Sequence, residues 1–378
     1  MKKLMPILLA LLALAVVLSS CTTTIAVTTL APAAVDVSGY KTIAVMSTQD
    51  KAGWTYPLFW NSYVPMQSVE PTYAALLRLL SNLDFNASSR IVETASSTIY
   101  SSIDNGYFKV VAPNVTDALV TLGKNNGNVR TTLMNNGVDA ILTTEITNIY
   151  YDEYIVQERD KNPTTYNNES YYQINFYLVQ KYAISINYVL QDVENTRIIA
   201  TNTFSSDIQT RRTRLGHTVG NAGTFVKDSY YSIPKASELI TDLIRSFARD
   251  FRNELTPHTE VNYFDFKPNK PKVASLEAAY DALDDERWNL ALSLFAEEYK
   301  RSGHLASGYN AAILYFTSGQ QDTAFALLEE MMRIYGGRDI ASLYSQLLEI
   351  KRKSDAAKSQ IESTEKSGAK QNSELIGF

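Results

Sequence analysis

From Tyr172 to Leu190 the chain alternates with a period of two. Ile174, Phe176, Leu178, Tyr182, Ile184, Ile186, Tyr188 and Leu190 fall on one face, interrupted by Gln180, while Gln173, Asn175, Lys181, Ser185 and Asn187 fall on the other. That pattern describes a long, half-buried β-strand, which needs an antiparallel partner and a layer to cover its apolar face. Thr143 to Val156 is the expected partner, reached through the polar loop Arg159 to Ser170. Thr196 to Phe204 is expected on the other side after a turn at Glu194-Asn195. Two readings of the hairpin stay open: a sheet packed on helices, or a hairpin that each subunit of a ring contributes to a membrane β-barrel. The second needs a continuously apolar lipid-facing band, and Gln180 and Lys181 sit near its middle.

Upstream, Lys41 to Met46 reads as a buried strand, followed by an aromatic loop through Trp54, Phe59 and Trp60. Tyr73, Leu76, Leu77 and Leu80 lie at helical spacing after Pro71. A second helix is expected from Ser88 to Ile103, a strand at Tyr107 to Val111, a helix from Asn128 to Asn136 ended by Gly137, and a strand opening at Val138. Downstream, Leu239, Ile240, Leu243, Ile244, Phe247, Ala248 and Phe251 mark one face of a helix between Pro234 and Leu255, and Asn253 to Phe266 reads as a closing segment. The segments Lys41 to Val45, Gly106 to Val111 and Gly137 to Ile146 resemble, in their order, the periplasmic lipoprotein domain shared by the curli-secretion channel family and the lipoprotein activators of penicillin-binding proteins. The resemblance implies an α/β fold over residues 38–266, an α+β sandwich with a mostly antiparallel sheet. It supports that fold better than it supports either family's activity.

Residues 267–272, Lys-Pro-Asn-Lys-Pro-Lys, read as a linker, and beyond them the period changes. Trp288-Asn289-Leu290-Ala291 with Phe295, and Gln321-Asp322-Thr323-Ala324 with Leu328, repeat at a spacing of 33. Ala278, Ala279, Ala291, Ala311, Ala312 and Ala324 are small where paired helices must approach. Residues 273–352 resemble tetratricopeptide repeats, which implies an all-α C-terminal module. Its first unit departs by carrying Glu286 where the turn usually has glycine. Ile340, Leu343, Leu347 and Ile350 mark a capping helix over Asp339 to Lys351, and the Lys-, Ser-, Glu- and Gln-rich stretch 353–378 is expected to be a disordered tail or a fraying helical extension.

Cys21 is the sole cysteine. It follows Leu18-Ser19-Ser20 at the end of an apolar run that begins after Lys2 and Lys3. That arrangement resembles a bacterial lipoprotein signal, implying a leader at residues 1–20 and a covalent lipid on Cys21. An ordinary secretory signal with an incidental cysteine is the alternative. Removing the leader takes away two lysines and no acid, so the formal charge moves from −5 to −7, a balance that argues against nucleic-acid partners. With Cys21 acylated no thiol is left for disulfides, so apolar cores must supply the stability. Residues 21–37, rich in Thr, Ala and Val, read as a tether. By resemblance, Thr22 behind the lipidated cysteine favours the outer membrane with the protein facing the periplasm.

No catalytic set and no metal set emerges. His217, His258 and His304 stand far apart, Gly216, Gly220 and Gly223 lack the Gly-Lys-Ser/Thr of a phosphate loop, and Ser363 to Lys366 has serine-lysine spacing in a polar stretch. Tyrosines remain. Tyr151, Tyr154 and Tyr166 flank the hairpin loop, where they either pair across strands or grip a partner. Tyr280, Tyr309, Ile313 and Phe316 lie on repeat-helix faces that either line a partner groove or pack on the chain's own core. The expectation is a non-enzymatic, lipid-anchored envelope protein, without cofactor beyond its lipid, that binds other envelope proteins; by the resemblance above it would serve as an adaptor or activator in envelope assembly. An oligomeric secretion-channel component and an envelope glycan-binding protein or hydrolase are the alternatives.

Overall fold

A computed structural model describes residues 23–54, 87–228 and 233–366. Cys21 and the helix expected after Pro71 lie outside the described residues. In chain order come β1 (Thr24–Ala31), β2 (Thr42–Val45), β3 (Gln49–Asp50), α1 (Ala87–Ile103), β4 (Lys109–Val111), α2 (Pro113–Asn125) and α3 (Val129–Asn135). The β-rich middle holds β5 (Ala140–Arg159), β6 (Thr164–Tyr166), β7 (Glu169–Tyr171), β8 (Ile174–Asp192), β9 (Ile198–Ser205), β10 (Gln209–Val219) and β11 (Thr224–Lys227). Then follow α4 (Ala236–Ser246), α5 (Ala248–Leu255), β12 (His258–Asp265), a short 3-10 turn at Ala274–Leu276, α6 (Glu277–Asp284), α7 (Trp288–Ser302), α8 (Leu305–Thr317), α9 (Gln321–Tyr335) and α10 (Arg338–Lys366). The described residues divide into two compact units, one within 33–256 and 360–366, the other of 23–32 and 257–359.

In the first unit the strand order is β11-β10-β8-β5-β2-β4, with β3 beside β5 and β9 beside β8. The pairs of β2 with β4 and β5, and of β3 with β5, are parallel, and the others are antiparallel. Ile43 and Val45 of β2 join Ile91, Ala95 and Ile99 of α1 and Ile240 and Ile244 of α4 in one core, while Ala44 joins Val120 of α2 and Leu133 of α3 on the opposite face. Burial on both faces explains why this strand reads as an unbroken apolar run. Helix α1 buries Ile91, Ala95, Ile99 and Ile103, a four-residue spacing that forms one stripe. Asn128 caps α3 by accepting from the Thr131 N–H at 2.9 Å, and Gly137 behind it has φ of 71°.

The helix expected from Pro234 to Leu255 is two helices, α4 and α5, joined at Phe247. The junction lets Phe247 and Phe251 both reach the ring of Phe204, at 6.2 and 4.3 Å between centroids. The hairpin runs further than the alternation indicated, from Ala140↔Asp192 to Arg159↔Ile174, with a bulge between Ile146 and Asn148. Strand β9 pairs with the near half of β8, as expected. The far half pairs with β10, through Gln209↔Tyr182 to His217↔Asn175. Of the three glycines that lack a phosphate-loop pattern, Gly216 lies within β10, and Gly220 and Gly223 have φ of 67° and 68° in the turn between β10 and β11.

In the second unit the expected tether is a strand. β1 pairs antiparallel with β12 from Thr24↔Asp265 to Ala31↔His258, and Phe266 N–H donates to the Thr23 carbonyl at 3.0 Å. The inward residues Ile25, Phe264 and Phe266 enter one core with Phe295, Ile313, Phe316, Leu328 and Leu347 of the helices. The helices repeat at 33 residues: Trp288–Ser302 maps onto Gln321–Tyr335, and Leu305 onto Arg338. Ala279, Ala291, Ala311, Ala312 and Ala324 are fully buried, whereas Ala278 is exposed. The capping stripe Ile340, Leu343, Leu347 and Ile350 is buried, and α10 runs on to Lys366. Of the two readings of the polar stretch, a disordered tail or a helical extension, the structure has the helix through Lys366, with Ala357 and Thr364 buried. Residues 367–378 lie outside the described residues.

Glu286 and Gly319, one repeat apart, occupy equivalent turns. Their φ values are 56° and 83°, and in each turn the following N–H returns to a carbonyl five residues back, Arg287 to Ala282 and Gln320 to Tyr315, both at 2.8 Å. A side chain in the left-handed region costs about 1–2 kcal/mol. Glu286→Gly is therefore expected to raise the stability of the helical unit by up to about 1 kcal/mol, after the added chain entropy of glycine is discounted. Gly319→Ala should lower it by a similar amount, both read by thermal melting.

Candidate functional site

The bulge in β5 places Ile146 and Ile149 on the same side, toward the core beneath α1 and α4. Beyond it the face turned toward α4 carries Tyr151 opposite Tyr182 and Glu153 opposite Gln180. Tyr151 packs with Ala236 and Leu239 of α4. Its hydroxyl donates to Glu153 Oε2 at 2.7 Å and accepts from Gln180 Nε2 at 2.9 Å, and the same Nε2 reaches the Pro234 carbonyl at 3.0 Å. Gln180, the interruption in the apolar pattern, is 1% exposed and ties the strand to the segment that starts α4. Burial pushes the Glu153 carboxyl above its ordinary range, partly offset by the Tyr151 hydrogen bond.

On the opposite face of the same rows Asn175, Val179 and Ala183 are buried, and the longer side chains around them are half-buried or exposed. That face presents Tyr150, Tyr154 and Val156 of β5, Tyr177 and Lys181 of β8, and Arg212 and Arg214 of β10. Lys181 Nζ stands 5.3 Å from the Tyr154 ring centre and Arg212 Cζ 4.5 Å from that of Tyr177. The Tyr154 hydroxyl, with Tyr150 and Asp152 adding to it, holds the Lys181 ammonium above its usual range. Arg212 also pairs with Glu158 at 2.6 Å, and Arg214 donates to Asn175 Oδ1 at 2.8 Å. At the strand ends Arg159 Cζ covers Tyr172 at 3.8 Å. Rings held under cations form a flat amphipathic surface with little conformational freedom to lose on binding.

The residues singled out in the sequence separate here. Tyr154 belongs to the face with Lys181 and Arg212, Tyr151 is buried on the other, and Tyr166 is 49% exposed on β6. Ile313 and Phe316 are fully buried and 4% exposed, Phe316 packing edge-on against Phe264 and Phe325, so they are core and not groove. Tyr280 and Tyr309 hold the segment that was expected to be a linker. The Tyr280 hydroxyl donates to the Lys267 carbonyl at 2.7 Å, Asn310 bonds both the N–H and the carbonyl of Lys267, and Lys267 Nζ lies 5.2 Å from the Tyr309 ring centre. Burial raises the Tyr280 hydroxyl to about 12. Lys181, Tyr177, Arg212 and Glu153 were missed because a charge inside a strand reads as a solvated position, and only the register shows which charges share a face.

The other buried carboxylates have structural partners. Glu298 accepts from Ser302 at 2.6 Å and from Ser275 at 2.8 Å and pairs with Arg301 at 2.6 Å, contacts that lower its carboxyl to about 2. Asp192 accepts from the Asn195 N–H at 3.0 Å in the turn before β9. Among the described residues no group of three His, Cys, Asp or Glu side chains stands together as metal ligands, and no helix is long and apolar enough to cross a membrane.

No protein-family model matches the chain, and no curated protein matches it. Among solved structures it is similar to the PelC dodecamer from Paraburkholderia phytofirmans, at 10% identity over 61% of this chain and 97% of that one, with a TM-score of 0.23. It is similar to lipoprotein GNA1162 from Neisseria meningitidis at 14% identity over 56% and 98%, with a TM-score of 0.24. A neuraminyllactose-binding hemagglutinin homolog from Helicobacter pylori is 6% identical over 55% and 79%, with a TM-score of 0.23. Similarity of this size identifies no family.

A carboxyl raised by burial holds its proton longer in the folded chain than in the unfolded one. Its contribution is greatest below the unfolded value and is lost as pH rises through the folded value. Glu153→Gln is therefore expected to raise the melting temperature at pH 7 and to change it little at pH 4, checked by melts across that range.

Proposed function

We propose that this protein is a non-enzymatic, lipid-anchored adaptor or activator of the bacterial cell envelope, held to the outer membrane through Cys21 and facing the periplasm. It binds other envelope proteins on the face of the hairpin sheet that carries cations over rings. The observation that carries this reading is the paired arrangement of Tyr154 with Lys181 and Tyr177 with Arg212 on a face that the described helices leave uncovered. Large rings and arginine are the residue types that concentrate binding energy in protein interfaces.

The helical unit is assigned as tetratricopeptide-like, supported by the 33-residue repeat of its helices and of its turns at Glu286 and Gly319. Its Tyr280, Tyr309 and Asn310 already hold the chain's own Lys267, which shifts the expected partner surface to the hairpin.

A second reading, an oligomeric secretion-channel component, is favoured by the sheet edges. Residues 147–159 of β5 have a neighbouring strand on one side only among the described residues, and so do residues 209–215 of β10 on the opposite edge. Two free edges on opposite sides of one sheet suit head-to-tail addition of copies.

Placing a photoreactive phenylalanine analogue at Tyr177 or Tyr154 in living cells is expected to give a discrete adduct with a different protein. The double variant Lys181→Glu with Arg212→Glu should cut the yield about tenfold, the equivalent of ~1.4 kcal/mol. Adducts no stronger than those from an exposed β9 position such as Thr203 would contradict the adaptor reading. Adducts with a second copy alone would support the channel reading instead.

A further inference from the structure

The ribbon of β1 and β12 has one face in the helical core and an outer face that is exposed from Thr24 to Thr28, while Leu30 at its far end, opposite Thr259, is buried. Along the outer face Thr28 stands opposite Val261, Ala26 opposite Tyr263 and Thr24 opposite Asp265. Val261 is 53% exposed and Tyr263 66%. The face carries one charge, Asp265, which lies at its end and accepts from the Thr24 hydroxyl at 2.7 Å.

What covers such a face follows from the length of chain in front of it. The ladder begins at Thr23, whose carbonyl is bonded to Phe266 N–H, and Cys21 stands two residues earlier. Two residues span at most about 7 Å when fully extended. The headgroup layer of one leaflet is itself about 5–7 Å thick, taken as half the difference between the whole bilayer and its hydrocarbon core. A lipid on Cys21 sits with its glyceryl sulfur at the base of that layer, so the first residues of the ribbon cannot leave the headgroup region. The stretch expected to hold the protein away from the membrane is a strand of the folded unit.

We propose that the outer face of the β1–β12 ribbon lies on the membrane surface, with Tyr263 and Val261 among the lipid headgroups. The inference rests on lipidation of Cys21. Tyrosine is enriched at this depth because its ring is apolar and its hydroxyl can stay hydrated. The ribbon is about 24 Å long from end to end. An upright ribbon would keep only Thr24 and Asp265 near lipid and leave the Thr, Ala, Val and Tyr face in water, and lying down covers it without burying a lysine or arginine. The nearby Lys267 and Lys272 are paired with Asp339 and Glu277, so a zwitterionic surface suffices.

Because Cys21 is the only cysteine and its sulfur is blocked by the lipid, one added thiol can be labelled selectively. Thr28→Cys and Val261→Cys, on the two strands of the outer face, would carry a small fluorophore in full-length protein matured in bacteria and placed in phosphatidylcholine vesicles with a headgroup-borne quencher. The expected result is that fluorescence at both sites falls to less than half. Access of aqueous iodide to both should fall by at least half relative to the same labels in a leaderless Cys21→Ser protein. The intact mass of the same preparation reports the anchor separately. Lipidated protein whose labels stay as open to iodide as in the soluble form would overturn the seating of the ribbon while leaving the anchor standing. A mass without lipid would overturn both.

Discussion

The register between β5 and β8 is the constraint on which the first unit depends. Nineteen residue pairs fix it, and because strand side chains alternate, a slip of one position would send every core residue to the opposite face. With Leu142 against Leu190 and Ile146 against Ile186, the near half supplies the floor on which α1, α4 and α5 pack. The same register, carried past the bulge, places Tyr151, Glu153 and Gln180 beneath the start of α4 and turns Tyr154, Tyr177 and Lys181 outward. Core and candidate surface are thus two sides of one ladder. The hydrogen bond from Gln180 to the Pro234 carbonyl joins them, because it ties the segment that starts α4 to the strand whose other face carries Tyr177 and Lys181.

Much of this was legible in the residues because it is local. Period two along Ile174 to Leu190, the four-residue stripe of α1, and the 33-residue return of Ala291 at Ala324 each declare an element without reference to the rest of the chain. What failed is non-local. Thr24 to Ala31 is a strand because β12 lies against it, more than 200 residues away, and its short Thr- and Ala-rich sequence carries no such signal. Arg211, Arg212 and Arg214 hid β10, since strands are usually read from β-branched and aromatic residues. Helical spacing found Tyr280, Tyr309, Ile313 and Phe316 but could not say what they face. Ile313 and Phe316 turn into the core with Phe264, and Tyr280 and Tyr309 hold Lys267. For the polar stretch after residue 353 composition left a disordered tail and a helical extension both open, and the buried places of Ala357 and Thr364 decide for the helix through Lys366.

The two units carry different parts of the proposed function. In the helical unit the repeats bury their apolar residues against each other and against β1 and β12, and the strand reaches to within two residues of Cys21. That unit is suited to fixing the protein at a surface. The hairpin unit carries cations that stand over rings on one face of its sheet, and a buried acid on the other, Glu153, is bonded to Tyr151 beneath α4. Each unit presents a shaped surface, which is the property an adaptor requires.

Among the described residues the sheet built on this hairpin has unpaired edges at residues 147–159 and 209–215, so the adaptor and channel readings divide on how many copies assemble. Light scattering coupled to size exclusion on the lipid-modified protein in detergent, with the detergent mass subtracted, tests this most directly. The adaptor account predicts the mass of one chain or two. A discrete ring of eight or more copies would contradict it, because the hairpin face and edges would then be committed to self-assembly.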